Sequence, residues 1–252
     1  MAKNKAFTNL EYETGNALPD PVIVNHDGFQ VVRDDLLPGG TKRRALSSLL
    51  SQWDNPEFVY ASTAHGYGPV ALAYACRDIG RKATLVYSWR KNDTPLFAEA
   101  KNAGANIVMT PKRAFFVVVH KKARDYAAEH PDAKLLKMGF NYPEYVEATA
   151  EIIEKTARSL SQKPREIWCA GGSGTLTKAL QMVWPDADHH VIRVSKVKGD
   201  FGAAAQHFAP ETFEQKAKQP PPFPSAKNYD AKIWQFVTTQ ASPGALVWNV
   251  GG

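Results

Sequence analysis

An apolar run, a cluster of small residues and a helix-forming segment follow one another in WCAGGSGTLTKAL, residues 168–180. This order predicts a strand, a tight turn and a helix. Backbone N–H groups in such a turn, aligned with the helix dipole, bind anions. The turn lacks both the Gly-Lys-Ser/Thr of a P-loop and the third glycine of a dinucleotide fingerprint. We therefore predict a monophosphate as its ligand, held by Gly171, Gly172, Ser173, Gly174 and Thr175.

The same alternation of strands and helices extends over most of the chain. Apolar, β-rich runs lie at Glu57–Ala61, 83–87, Asn106–Met109, 166–169, 190–194 and 245–249. Helical patterns lie at 69–79, Pro95–Asn102 and 143–160. Nearly continuous apolar strands separated by helices are typical of a parallel sheet that is covered on both faces. The sequence therefore predicts an α/β fold.

Length and composition restrict the class of protein. The 252 residues are 44% hydrophobic and 22% charged, which excludes a disordered, collagenous or coiled-coil chain. The longest apolar run, AFFVVV at 114–119, is too short to cross a bilayer, and the first residues contain no secretory signal. We therefore expect a cytoplasmic protein with no membrane partner. Two cysteines, Cys76 and Cys169, fit neither a disulfide framework nor a zinc site, so we predict no metal.

Net charge adds a weaker indication. The formal charge is +6 and the sequence pI is about 9.2. Such basicity favours an anionic partner, either a phosphate-bearing ligand or a nucleic acid, without choosing between them.

A lysine in an unusual position follows a second glycine turn, in VRDDLLPGGTKRRAL at 32–46. Thr41 is the predicted N-cap, and Lys42 then falls in the first turn of a helix. The helix dipole disfavours a cation there, and Arg43 and Arg44 add like charge, which favours the neutral amine. A neutral amine suits Schiff-base chemistry. A basic turn that contacts phosphate or DNA is the alternative interpretation.

A third turn, ASTAHGYGP at 61–69, also lies between a predicted strand and a predicted helix. Ser62, Thr63, His65 and Tyr67 offer hydrogen-bonding groups beside two glycines. A lone histidine in a loop is usually structural. At a strand-to-helix turn of a parallel sheet, contact with a ligand is about as frequent.

In this order along the chain, the motifs resemble those of the fold type II pyridoxal-phosphate enzymes, the class of tryptophan synthase β and cysteine synthase. The likeness is greatest to the branch of 1-aminocyclopropane-1-carboxylate deaminase and D-cysteine desulfhydrase. RDDLLPGGTKRRAL is similar to the segment with the cofactor lysine, and ASTAHGYGPVALAYACRDIG to the turn and helix beside the pyridine ring. AGGSGTL is similar to the phosphate loop, GFNYPEYVEATAEI to the helix before it, and ALVWNVGG to the C-terminal strand.

This resemblance implies two αβ domains with mainly parallel, twisted sheets and the cofactor in the cleft between them. The small domain is expected at 44–138, and the large domain at 1–43 and 139–252. Lys42 is expected to carry pyridoxal 5'-phosphate as a Schiff base, with His65 and Tyr67 as further catalytic residues. The expected cofactor-binding residues are Lys42, Ser62, Thr63, His65, Gly171, Gly172, Ser173, Gly174, Thr175 and Asn249.

Two positions depart from the branch's pattern. The asparagine that contacts the ring is absent, and His65 or Tyr67 occupies its neighbourhood. Val250 replaces the threonine that contacts the pyridine nitrogen, and Asn249 is the expected substitute. By the same resemblance, Tyr229 is one of the tyrosines expected near the substrate.

The predicted function is that of a pyridoxal-phosphate-dependent lyase acting at the α-carbon of an amino acid. Deamination, β-elimination and decarboxylation all remain open, and a homodimer is expected because family members are commonly dimers. One alternative is a decarboxylase or lyase acting on an amino-acid group attached to thymine in bacteriophage DNA, located in the host cytoplasm. A basic surface suits such a polyanion. The other alternative is a non-catalytic binding protein with the same fold.

Overall fold

The computed structural model describes residues 18–196 and 198–251. Strands in the described residues are β1 Ile23–His26, β2 Phe29–Arg33, β3 Glu57–Ala61, β4 Lys82–Tyr87, β5 Asn106–Met109, β6 Ala133–Leu135, β7 Glu166–Gly171, β8 Asp188–Arg193, β9 Ala205–Phe208 and β10 Leu246–Asn249. Helices in the same part of the chain are α1 Gly40–Ser51, α2 Gly68–Asp78, α3 Pro95–Asn102, α4 Phe116–Glu129, α5 Pro143–Ala157, α6 Thr175–Val183 and α7 Trp234–Gln240.

The strands form two sheets. One has six strands in the order β1-β2-β10-β7-β8-β9, and the other has four in the order β5-β4-β3-β6. Among the described residues, each neighbouring pair is parallel except the hairpin of β1 and β2. Parallel strands need crossover connections, and helices supply most of them here. The predicted α/β fold with mainly parallel sheets is confirmed.

Apolar side chains cover both faces of the four-stranded sheet. Phe58 and Leu85 pack in the cluster that includes α2 and α3. Their strand neighbours Val59 and Val86 pack on the opposite face with Val119 of α4. Alternate residues of a strand point to opposite faces, so both faces need apolar residues and the strands appear as continuous apolar runs.

The six-stranded sheet is built in the same way. Val32 and Cys169 pack towards α5 and α6, with Leu180 among their neighbours. Val31 and Trp168 face the opposite side, where α7 packs. Strands from both ends of the chain therefore share one sheet, while the strands between residues 57 and 135 form the other. The domain limits at residues 44 and 138 stay a prediction.

Two negative findings concern the described residues only. None of their helices has both the length and the apolar character needed to traverse a bilayer. They also contain no group of three or more metal-binding side chains.

Candidate active site

Close packing on strand β10 positions the first turn of α1. The helix follows Gly39, whose φ is 86°, and begins at Gly40, whose φ is 57°. A Cβ on Gly40 would lie 1.8 Å from the carbonyl oxygen of Val250, so only glycine fits. The N–H of Thr41 donates to the same oxygen at 3.3 Å. Lys42 is thereby placed in the first turn, as the sequence predicts.

The predicted N-cap is wrong, because Gly39 occupies that position and caps with no side chain. The hydroxyl of Thr41 instead donates to Asp34 Oδ2 at 2.5 Å and accepts from Trp248 Nε1 at 2.9 Å. Thr41 therefore attaches the helix to β10.

The side chain of Lys42 is partly buried and keeps some contact with solvent. Its Nζ lies 5.4 Å from the ring centroid of Tyr229. Burial lowers the pKa of Lys42, and the nearby carboxylate of Asp230 opposes that shift only in part. The direction of the shift is the one predicted from the sequence.

The cause of the lowered pKa of Lys42 differs from the predicted one. Arg43 is paired with Asp78 at 2.6 and 2.7 Å, and Arg44 with Asp34 at 3.0 Å. Both guanidinium groups are thus balanced by carboxylates. Loss of hydration, rather than repulsion from the two arginines, lowers the pKa of the Lys42 amine.

The predicted anion-binding turn lies between β7 and α6. Gly174 precedes the helix with a φ of 90°, and no side chain caps the first turn. A Cβ on Gly174 would lie 1.8 Å from the carbonyl oxygen of Asp200. The N–H groups in the first turn of a helix have no partner within the helix, so they are available to an anion. The turn at 171–175, called the glycine loop below, has the predicted strand–turn–helix form.

One tyrosine connects Lys42 with the glycine loop. The ring of Tyr229 faces the Lys42 amine, and its hydroxyl lies close to the backbone of Gly172, whose N–H opposes the rise in the pKa of Tyr229. A Cβ on Gly172 would approach that hydroxyl to 3.2 Å. Ser173 Oγ lies 3.2 Å from Thr175 Oγ1. The amine and the loop are therefore at opposite ends of a single side chain.

Asp230 adds a carboxylate to the site that sequence reasoning missed. It is 3% exposed, and burial raises its pKa to about 7, while the Lys42 charge and the backbone N–H groups of Val250 and Gly251 favour the charged form. Its Oδ1 has no hydrogen-bond partner among the described residues. A buried carboxylate with an unused oxygen is suited to bind a proton or a cationic ligand.

Cys169, also missed as a site residue, lies on the inner face of β7 near Lys42. Burial raises the pKa of the Cys169 thiol to about 12, and its Sγ lies 3.5 Å from Thr177 Oγ1. The thiol is therefore neutral near pH 7 and contributes an apolar wall rather than a nucleophile.

The turn after β3 contributes one predicted residue directly. Tyr67 is buried, and the backbone N–H of Gly39 partly opposes the rise in its pKa. Its ring lies so close to Gly251 that a Cβ there would be 2.3 Å away. The negative charge of Asp230 also contributes to raising the pKa of Tyr67, behind burial and the charge of Glu99. Tyr67 thus lies between the start of α1 and the end of β10.

The other residues of this turn are less closely attached. Ser62 Oγ donates to the carbonyl of Thr63 at 3.1 Å, Thr63 is exposed, and His65 is partly exposed. Within the described residues, none of the three hydrogen-bonds to Lys42 or to the glycine loop. Their roles stay predictions.

Asn249 has its hydrogen bonds on the other side of β10. Its amide nitrogen donates to Asp35 Oδ1 at 2.6 Å and to the carbonyl of Pro224 at 3.0 Å. Its amide oxygen accepts from Ser225 Oγ at 2.7 Å. The cofactor contact of Asn249 stays a prediction, and both polar atoms of the amide already have protein partners.

The α/β fold, with this site at the carboxyl ends of parallel strands, is shared with solved structures of the kind that the motifs resemble. A crystal structure of an ACC deaminase homologue has a TM-score of 0.73 and 15% identity, over 88% of this chain and 84% of that chain. Diaminopropionate ammonia lyase from Escherichia coli, in its apo form, gives 0.63 and 12%, over 89% and 77%.

The same lyase in complex with an aminoacrylate-PLP azomethine reaction intermediate gives a TM-score of 0.62 and 13% identity, over 95% of this chain and 85% of that chain. A threonine deaminase from T.th. gives 0.52 and 17%, over 88% and 71%. At sequence identities this low, the structural likeness shows a common fold and no more. No family model and no curated protein matches the sequence.

Proposed function

We propose that this chain is a pyridoxal-phosphate-dependent lyase that acts at the α-carbon of an amino acid. The observation that carries the proposal is the position of the Lys42 amine. It lies over the ring of Tyr229, whose hydroxyl lies beside the glycine loop, and near Asp230. The amine, the anion-binding turn and the carboxylate thus lie at one site.

The residues present fit this cofactor, group by group. The Lys42 amine, with its lowered pKa, suits an aldehyde, and the N–H groups at the start of α6 suit a phosphate. Asp230 Oδ1 has no hydrogen-bond partner among the described residues and suits a protonated ring nitrogen. These three groups would hold the cofactor at its aldehyde, its phosphate and its ring.

When bound, pyridoxal phosphate supplies an electron sink for negative charge at the α-carbon of an amino acid. Lys42 would hold the cofactor and, once released by the substrate, its amine would be placed to move a proton, a role that the lowering of its pKa by burial favours. Tyr229 stays protonated, since burial and the Asp230 charge raise its pKa. Its hydroxyl can therefore donate a hydrogen bond to an anionic group of the substrate.

Release of ammonia is the reaction to assay first. An ACC deaminase homologue, a diaminopropionate ammonia lyase and a threonine deaminase share this fold, and their names describe that outcome. The cytoplasmic location and the homodimer stay predictions.

An amino-acid group attached to a thymine base in DNA is the second candidate substrate. The net charge of +6 and the sequence pI of about 9.2 favour a polyanionic partner. Decarboxylation of such a group would use the same lysine and the same loop. Carbon dioxide release from modified DNA, compared with ammonia release from free amino acids, separates the two candidates.

The first test is chemical. The full-length protein is incubated with pyridoxal phosphate, reduced with borohydride and digested for mass spectrometry. We expect yellow absorbance before reduction and a pyridoxyl adduct on Lys42, both absent in Lys42→Ala and retained in the surface control Lys121→Ala. Colourless wild-type protein, or an adduct confined to surface lysines, would refute the enzyme proposal. A specific adduct without turnover would leave the non-catalytic binding protein as the answer.

A further inference from the structure

Two neighbouring loops at the carboxyl edge of the four-stranded sheet expose aromatic side chains among cations. Trp89 follows β4 and is 46% exposed, and Phe115 follows β5 and is 85% exposed. Arg90 and Lys91 stand beside Trp89, and the pair 112–113, Lys-Arg, stands just before Phe115. Residues 89–91 and 112–115 are called the aromatic–basic edge below. The proposed function uses none of these side chains.

Hydrogen bonds from backbone N–H groups to side-chain hydroxyls hold the two loops together. The N–H of Trp89 donates to Thr110 Oγ1 at 3.0 Å, and the N–H of Ala114 donates to Ser88 Oγ at 2.9 Å. Strands β4 and β5 pair in parallel, with Tyr87 opposite Met109, so both loops leave the sheet at the same edge. The exposed aromatic residues are therefore displayed by a fixed backbone.

Arg90 adds a positive charge at this edge. Its guanidinium carbon lies 5.6 Å from the ring centroid of Phe97. Its Nε and Nη1 atoms are closed to solvent, so Arg90 contributes its charge to the edge rather than these two donors.

The charge of the two loops selects the partner. Residues 88–93 and 110–118 contain four cations and one carboxylate, Asp93. A second copy of this chain, docked by a two-fold axis through the edge, would bring its own cations against these. A polyanion with flat, stackable groups matches both the charge and the rings, since single-stranded nucleic acids bind cationic grooves and stack their bases on aromatic residues.

We propose that the aromatic–basic edge binds single-stranded nucleic acid. Phosphates lie against Arg90, Lys91 and the 112–113 pair, and bases stack on Trp89 and Phe115. The proposal goes beyond the lyase function and does not depend on the cofactor.

The edge is continuous with the candidate active site. Strand β3 is the other neighbour of β4, and its loop carries His65 and Tyr67 at the same edge of the sheet. Thr94 Oγ1 donates to the carbonyl of Ala64, which ties the loop after β4 to the loop after β3. A nucleic-acid strand bound along the edge would therefore pass close to Lys42.

Fluorescence anisotropy with labelled oligothymidylate tests the proposal, using full-length protein with and without pyridoxal phosphate. We expect binding at low salt in both forms, with an affinity that falls as salt rises, by a slope of about −0.7 per phosphate contact. Trp89→Ala and Phe115→Ala should each weaken binding about tenfold, as expected for the loss of one stacked base. Trp89→Phe keeps a stacking ring and should retain most of the affinity.

Matched controls separate the edge from general surface effects. Phe208 is also exposed, at 60%, but lies in the six-stranded sheet, so Phe208→Ala should leave binding unchanged. Replacing the 112–113 pair by glutamine should weaken binding and reduce the salt slope. The same change at Lys216 and Lys218, which are exposed elsewhere, should do much less.

The proposal would be overturned by no binding at low salt, by equal losses in the control variants, or by tight binding that Trp89→Ala and Phe115→Ala leave unchanged. It would also be overturned if these two variants abolished binding to anionic lipid vesicles while oligonucleotide binding persisted. Self-association that both aromatic variants disrupt would assign the edge to a dimer interface instead. Because these experiments measure binding and self-association, they remain decisive even if the chain has no lyase activity.

Discussion

Asp34 and Asp230 are both buried carboxylates beside the first turn of α1, and their surroundings differ in one respect. Asp34 accepts from Thr41 Oγ1 at 2.5 Å and from Arg44 Nε at 3.0 Å, one bond on each oxygen. Asp230 has Lys42 as a charge partner, and its Oδ1 lacks a hydrogen bond among the described residues. We call the first group the Asp34 cluster (Asp34, Thr41, Arg44) and the second the Asp230 pair (Asp230, Lys42).

The difference separates a structural carboxylate from one available for chemistry. Burial raises the pKa of Asp34, and Arg44 and Thr41 oppose that shift. Because every oxygen is used, the Asp34 cluster holds α1 in place and has no capacity for a ligand. The Asp230 pair combines a carboxylate of raised pKa with an amine of lowered pKa, the arrangement expected where protons are moved.

The largest expected effect comes from removing the amine of the Asp230 pair. Lys42→Ala should lower lyase turnover by about 10² to 10⁴-fold, the usual contribution of a positioned acid or base, or by more if cofactor attachment fails. Stability should hold or rise, since the buried amine is a poorly solvated group. Steady-state kinetics and urea unfolding measure the two quantities. Full activity in Lys42→Ala would remove the Asp230 pair from the mechanism.

For the free energy of unfolding, the Asp34 cluster matters more than the Asp230 pair, which is the reverse of the order expected for activity. Asp34→Asn leaves the buried guanidinium of Arg44 without its counter-charge and should cost about 3–5 kcal/mol. Asp230→Asn should keep or raise stability near pH 7, because the raised pKa of Asp230 means that its charged form destabilises the folded protein there. Urea midpoints with unchanged slopes provide the measurement. Equal losses in the two variants would contradict the comparison.

The pH dependence of stability tests Asp230 more finely. Burial raises the pKa of Asp230 from 3.8 to about 7, so the folded protein binds one proton more than the unfolded chain between those values. Stability contributed by this group is complete below the lower value and is lost as pH rises towards the upper one, by up to about 1.4 kcal/mol per pH unit. The difference between wild type and Asp230→Asn, measured without cofactor, should show this slope. A flat difference would mean that Asp230 titrates normally.

The smallest expected effect concerns the contact between Tyr229 and the glycine loop. A Cβ on Gly172 would lie 3.2 Å from the Tyr229 hydroxyl, and this glycine has no positive φ. Gly172→Ala should therefore change stability by less than about 0.5 kcal/mol and lower the affinity for pyridoxal phosphate several-fold. Thermal unfolding and absorbance titration measure these. Ser173→Ala, which keeps the backbone donors, is the control and should bind nearly as well as wild type.

The sequence predicts the local features of the site well. The strand, glycine turn and helix around residue 172 and the position of Lys42 follow from short-range rules on turns and helix starts. β3, β5 and α3 match their predicted bounds. The Asp27-Gly28 turn of the β1–β2 hairpin has φ of 53° and 86°. An Asp-Gly pair is typical of a hairpin turn, but a search for apolar runs does not detect it. β6 and β9 are short and lack the apolar runs on which prediction depends.

Asp230 could not be found in this way. It begins a short 3-10 turn at Asp230–Ile233, where an acidic residue is usually a helix start signal. Its partner Lys42 is far away in sequence, and no local motif links them. Only the tertiary contact at β10 shows that the carboxylate and the amine share one crevice. The same limit applies to Arg43 and Arg44, whose carboxylate partners cannot be read from charge alone.

The docking of α1 on β10 has a consequence for biosynthesis. Thr41 bonds to Trp248, 207 positions later, and Gly40 lies against the Val250 carbonyl. While a ribosome is still making the chain, the lysine at position 42 has neither this wall nor Asp230 beside it. Its side chain is then hydrated and ordinarily basic, so the nascent polypeptide gains a reactive amine only after residues 248–250 have been translated.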